Sequence, residues 1–147
     1  MGDFVEKAKD LSAEKYKQGI NCAESIVITF DELCNLGIGE NVRLVTGFGG
    51  GIGHAGDICG AMAGSIVVLG AFKGRSKPPE GDRPAMYKLS KGFHDIFVEK
   101  FSSTDCDIVR KHEWGCKEQK VNCLKLICTT AELLANYLVA EGLVKEN

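Results

Sequence analysis

The stretch ICGAMAGSIVVLGAF, residues 58–72, holds no charged side chain and is apolar around its whole circumference. Such a segment predicts a helix buried on all sides, because no polar face is left for water. It falls short of the ~20 apolar residues that a bilayer span requires, so it reads as the centre of a core and not as a membrane segment. Gly56, Gly60 and Gly64 recur every fourth position and leave one face as nearly bare backbone, which lets a second helix approach closely. Ile66, Val67 and Val68 favour a strand by propensity, the one local feature that competes with the helix.

Helical spacing continues in both directions from this segment. Toward the N-terminus, Asp3 is placed to cap a helix running to about Gln18, with Phe4, Ala8 and Leu11 on one face and Gly19 as its left-handed stop. Asn21 and Glu24 have the spacing of a capping box, after which Ile26, Val27, Phe30 and Leu33 recur at helical period until Gly37. These two helices predict a hairpin. A short helix from about Glu40 to Thr46 leads into GFGGGIGHAG, in which six of the ten residues 47–56 are glycine, and which excludes a regular element.

Toward the C-terminus, residues 73–83 form a polar connector with Pro78, Pro79 and Gly81. Pro84 suits the first position of a helix that directs Tyr87, Phe93, Ile96, Phe97 and Phe101 to the core. Ser103 and Thr104 restart the chain into a short helix at about Cys106–Lys111. HEWGCKEQK reads as a link, and a last helix from about Asn122 to Ala140 presents Leu124, Ile127, Ala131, Leu134 and Leu138 until Gly142 ends it. The expected fold is all-α: one domain over residues 1–147, a compact bundle of about five to six helices with a buried glycine-rich helix at its centre.

Composition narrows the function. The chain has 147 residues, 44% of them hydrophobic, enough for an ordinary core. A net charge of −2 with no basic stripe excludes a nucleic-acid surface. The charged N-terminal stretch lacks an apolar secretory core, so a cytoplasmic location is expected. In that compartment thiols stay reduced, and seven cysteines, an odd number, point to chemistry more than to structural disulfides. Cys22, Cys59, Cys106 and Cys123 each follow a good capping residue and are expected at helix starts. There, free N–H groups and the positive end of the helix dipole favour thiolate, the form that attacks disulfides or binds metal. For each cysteine the alternative is a small buried hydrophobe.

The motifs NCAES, GFGGGIG followed by CGAMAG, a cysteine after a long helix, and a last cysteine eight residues before AELL resemble the redox-active protein family known as C_GCAxxG_C_C. The likeness extends over nearly the whole chain. It places the family's four cysteines at Cys22, Cys59, Cys106 and Cys123, and its CGAxxG signature at Cys59, Gly60, Ala61 and Gly64. It implies a redox role, and through a related domain of split-Soret cytochromes it implies an iron–sulfur cluster. The absence of CxxCH separates this chain from those cytochromes and excludes covalent haem. Cys34, Cys116 and Cys128 stand outside the family set, and Cys128 or Cys116 is the alternative to Cys123 as fourth ligand.

The leading expectation is therefore electron transfer or redox sensing through an iron–sulfur cluster on these four cysteines. Hydrogen bonds from N–H groups to sulfur would set its potential. Gly49, Gly50, Gly51, Gly53, Gly60 and Gly64 would let backbone come close to it; tight helix packing explains the same glycines. The second expectation is a metal-free thiol–disulfide protein in which Cys59 attacks with Cys22 as its neighbour, although no CxxC exists. The third is a helical homodimer acting as an interaction module, its cysteines merely packed. Zinc on Cys106, His112, Cys116 and Cys123 is a further alternative. Gly51, Gly53 and Gly56 spell a dinucleotide fingerprint, but no strand precedes them. His54 is a candidate proton relay, while His94, His112 and Trp114 read as solvated, and Asp57 as a cap. A redox partner protein and a two-fold homodimer are the expected partners.

Overall fold

Helices supply the regular elements of the computed structural model, which describes residues 2–146. In chain order they are α1 (Asp3–Lys17), α2 (Cys22–Cys34), a run of 3₁₀ turns (Gly39–Phe48), α3 (Gly49–Ile52), α4 (Gly60–Lys73), α5 (Arg83–Phe101), α6 (Cys106–Val109) and α7 (Lys117–Ala140). The described residues contain no strand, only one antiparallel bridge between Ile58 and Asp105. The fold is all-α. Seven helical segments besides the 3₁₀ run appear among the described residues where five to six were expected, α3 being a single turn, left-handed at residues 50–52, inside the glycine stretch expected to hold no regular element.

The stretch at residues 58–72 does form a helix, and tertiary packing overrides the strand propensity of its valines. It is buried all round only from Cys59 to Ser65; beyond that, Ile66, Val67 and Gly70 are half-buried and Ala71 is exposed. Gly64 explains its seat against α2. A Cβ there would stand 2.8 Å from the carbonyl oxygen of Ala23 and 3.2 Å from its Cα, so only glycine lets the two backbones meet.

Helix α1 starts at the residue expected to cap it. Gly2 occupies the cap position without a side-chain bond, and Asp3 lies in the first turn, paired with Lys7 at 3.0 Å. Its buried face is Val5, Ala8 and Ser12, with Phe4 and Leu11 only half-buried. It packs on both α2 and α7, tied by Lys15–Glu32 at 3.1 Å and Lys9–Glu132 at 3.6 Å. The capping box on α2 forms as expected, Glu24 N–H donating to Asn21 Oδ1 at 2.9 Å and Asn21 N–H to Glu24 Oε1 at 3.1 Å. Asn35, left-handed at φ 54°, ends α2 ahead of Gly37.

Asp82 caps α5 through Ala85 N–H at 3.0 Å, and Pro84 falls at its second position. Leu89, Phe93 and Phe97 are buried, whereas Tyr87 is 65% exposed, off the expected core face. Helix α7 begins five residues before its expected start, capped by Cys116. It is the one described helix long and apolar enough, by length and composition, to cross a membrane. Its apolar face, including Ile127, Leu134 and Leu138, is buried in the core cluster that α1, α2, α4 and α5 share. Each such fully buried side chain contributes roughly 1.5–3 kcal/mol.

Candidate functional site

The distant cysteine segments are joined by backbone. Around the Ile58–Asp105 bridge, Cys59 N–H donates to the Thr104 carbonyl at 2.7 Å and Cys106 N–H donates to the Asp57 carbonyl at 2.6 Å. These two bonds hold the start of α4 beside the start of α6. Asp57 N–H in turn donates to the Gly51 carbonyl at 3.0 Å, which ties in the glycine loop.

That loop follows an unusual path. Residues 50–54 all have positive φ, including Ile52 at 67° and His54 at 67°, so the chain makes a left-handed turn that β-branched residues rarely enter. Glycine at 50, 51 and 53 bears most of it without strain. The turn brings Gly50 N–H near the Cys22 sulfur, and it stacks the His54 ring on Trp114 at 4.2 Å between centroids. Asn21 extends its cap outward, its Nδ2 donating to Thr46 O at 3.0 Å while Thr46 Oγ1 donates to Glu24 Oε2 at 2.7 Å. Cys22 is thereby clamped between the start of α2 and the 3₁₀ run.

Cys22, Cys59, Cys106 and Cys123 line one cavity of about 410 Å³, with Gly50, Gly60, His54, Arg110, Trp114, Gln119 and Tyr16 also in its wall. Gly60 is bare for a reason: a Cβ there would strike the Cys22 sulfur and lie 3.1 Å from Phe48 O. Gly51 packs against Cys106 Cβ and the Asp57 backbone, and Gly64 against α2; neither belongs to the cavity wall. Cys34 and Cys128 also lie outside that wall, Cys128 beside Lys9 and Glu132.

Three of the four cysteines stand at helix starts: Cys22 as first residue of α2, Cys59 as the cap of α4, Cys106 as first residue of α6. Cys123 does not. It lies two turns inside α7, because Cys116 caps that helix by accepting Gln119 N–H on its sulfur at 3.4 Å. Cys123 is met by side chains, Gln119 Nε2 donating to its sulfur at 3.2 Å and the Tyr16 hydroxyl facing it from α1.

The expected bias toward thiolate is overturned. Burial pushes the Cys59 thiol up to about 12, against the pull of the Ala61 and Met62 N–H groups. Burial also raises Cys22, Cys106 and Cys123; Arg110 opposes it at Cys106, and Gln119, Arg110 and Tyr16 oppose it at Cys123. Loss of water outweighs the helix dipole in an enclosed site, since it penalises the charged form of every sulfur at once. Burial likewise pushes the Tyr16 phenol up to about 12.

Arg110 was invisible in the sequence reading. Its guanidinium lies 3.9 Å from the Trp114 ring centroid, pairs with Asp107 at 3.0 Å, and approaches Cys106 Sγ at 4.0 Å. Tyr16 and Gln119 were missed as well; the one signal was Gln119 standing four residues before Cys123 on a helix. Trp114, read as a solvated link residue, is half-buried between His54 and Arg110. His94 stays on the surface beside Asp95, and His112 is exposed.

Among the described residues no three His, Cys, Asp or Glu side chains gather closely enough to hold a metal ion, so the zinc set Cys106, His112, Cys116 and Cys123 is not assembled. A single zinc ion would need every sulfur about 2.3 Å from one point. A multi-atom iron–sulfur core would instead spread its thiolates around a volume and not about one point.

Comparison with known proteins agrees with the motif. The family described as "Putative redox-active protein (C_GCAxxG_C_C)" matches residues 20–137. An uncharacterized protein of Archaeoglobus fulgidus is 30% identical over 144 residues, covering 91% of this chain and 95% of that protein. No solved structure matches. With the match spanning most of its length, the chain belongs to the C_GCAxxG_C_C family of redox-active proteins.

Proposed function

We propose that Cys22, Cys59, Cys106 and Cys123 hold an iron–sulfur cluster that serves electron transfer or redox sensing. The observation that supports this reading is the convergence of the four sulfurs on one cavity of about 410 Å³. When bound, such a cluster supplies reversible one-electron storage. The chain's own groups do the rest. Gly50 and Ala23 N–H groups lie near the Cys22 sulfur and Ala61 and Met62 N–H groups near that of Cys59, Arg110 sets positive charge beside Cys106 and Cys123, and Gly60 leaves room at Cys22. The buried thiols resist ionisation by themselves, so cationic iron is the charge that would draw their protons off.

The test is anaerobic reconstitution of the full chain with iron and sulfide. Visible charge-transfer absorption with stoichiometric iron and sulfide is expected, lost in Cys59→Ser; colourless, iron-free protein sinks the reading. A metal-free dithiol function is the second reading, favoured by the proximity through which Cys22 raises the Cys59 thiol. It requires a pair that closes reversibly on mild oxidation, read by thiol titration. Because Cys59 is 5% exposed and held neutral, it is a poor attacking thiolate, which ranks this reading below the first.

A further inference from the structure

Cys123 is the one cysteine of the four that does not stand at a helix start, and Cys106, which does, is met by Arg110 and not by a free N–H. Two turns into α7, the N–H groups around it are engaged in helix bonds, so nothing in its backbone neighbourhood is free to donate to sulfur. The groups that meet it come from Gln119 and Tyr16. Gln119 lies one turn before Cys123 on the same face and is buried, 6% exposed, an unusual place for a glutamine.

Both ends of that side chain are occupied. Gly115 N–H donates to Gln119 Oε1 at 3.0 Å, so the amide nitrogen must point the other way, where Nε2 reaches Cys123 Sγ at 3.2 Å. Gln119 N–H meanwhile donates to Cys116 Sγ, completing a reciprocal cap at the start of α7. The cap that begins the helix thereby fixes the orientation of the amide. Tyr16, from α1, closes the remaining side, its hydroxyl facing Gln119 and Cys123. It stands ahead of the residues matched by the family, so this contact is not part of the four-cysteine signature.

We propose that Gln119 is a positioning residue whose carboxamide, oriented by Gly115 and flanked by Tyr16, donates to the Cys123 sulfur in place of the helix-start N–H groups that lie near the Cys22 and Cys59 sulfurs. The role rests on the reading that Cys123 joins Cys22, Cys59 and Cys106 around a common redox centre. Donors to sulfur stabilise the more negative, reduced state and so raise the potential.

Two measurements test it. In ¹⁵N-labelled, metal-free protein, Cys123→Ala is expected to shift the Gln119 side-chain amide resonances and speed their exchange severalfold. Unchanged resonances and exchange overturn the proposal whether or not the protein binds iron. In protein reconstituted with iron and sulfide, Gln119→Met and Tyr16→Phe are each expected to lower the midpoint potential at full iron content. Full loading with an unmoved potential in both variants leaves Gln119 as a cap alone and also overturns the role. If no iron is taken up by the wild type, the cluster reading fails and the amide measurement still decides the hydrogen bond. If Gln119→Met does not fold, Tyr16→Phe and the Cys123→Ala spectrum carry the test.

Discussion

The backbone N–H of Cys106 lies 2.6 Å from the carbonyl oxygen of Asp57, a hydrogen bond between residues nearly fifty positions apart. With its companion from Cys59 to Thr104, it sets two signature cysteines side by side before any side chain makes a contact. The candidate site is thus built on main-chain bonds, and its cysteines are held by turns whose conformation the neighbouring glycines permit.

Gly60 is the tightest of those glycines. Gly60→Ala is expected to displace the Cys22 sulfur and to cost about 1–3 kcal/mol in overpacking. Denaturant unfolding of the metal-free variant reads the stability, and iron uptake on reconstitution reads the site. Unchanged stability with unchanged uptake would contradict the packing described here.

The pH dependence of stability follows from Cys59. Its thiol titrates near 9 in the unfolded chain and is pushed up to about 12 by burial. The folded state therefore keeps a proton that the unfolded state loses, and stability falls with rising pH. The contribution is complete below pH 9 and is lost progressively up to about 12, on the order of 4 kcal/mol in all. Unfolding of reduced, metal-free protein between pH 8 and 11 should show this decline, and Cys59→Ala should make it shallower, the remainder coming from the other buried thiols and Tyr16.

Arg110 offsets part of the burial penalty at Cys106. In Arg110→Met, the pH at which Cys106 becomes alkylated should rise, measured by peptide mass spectrometry on metal-free protein. Trp114 emission should change in the same variant, since the guanidinium stacked on its ring is gone.

Cys116 serves as a cap. Cys116→Ser, which supplies a better capping oxygen, is expected to leave stability equal or higher, while Cys116→Val should cost about 1 kcal/mol. Both should retain full iron content in reconstituted protein. A loss of metal in Cys116→Ser would instead make this residue a ligand.

Much of the helical order was legible in the residues themselves. The Asn21–Glu24 capping box, the periodic apolar face of α2 and the uncharged run at residues 58–72 each specify local structure through neighbours a few positions apart. The start of α7 was not legible, because GCKEQK carries no apolar period and cysteine is an uncommon cap. That five-residue difference moved Cys123 from a helix terminus to a helix interior.

By itself, then, the sequence determined an all-α chain and the glycines that let helices close on one another, and it singled out four candidate cysteines. Only the tertiary structure decided that those cysteines share one cavity, that Arg110, Tyr16 and Gln119 join them, and that the thiols are held neutral. Capping and periodicity act over one or two helical turns, so they can be read along the chain. The Asp57–Cys106 bond, the stacking of Arg110 on Trp114 and the exclusion of water depend on segments far apart in sequence, and they come into being only when the helices pack.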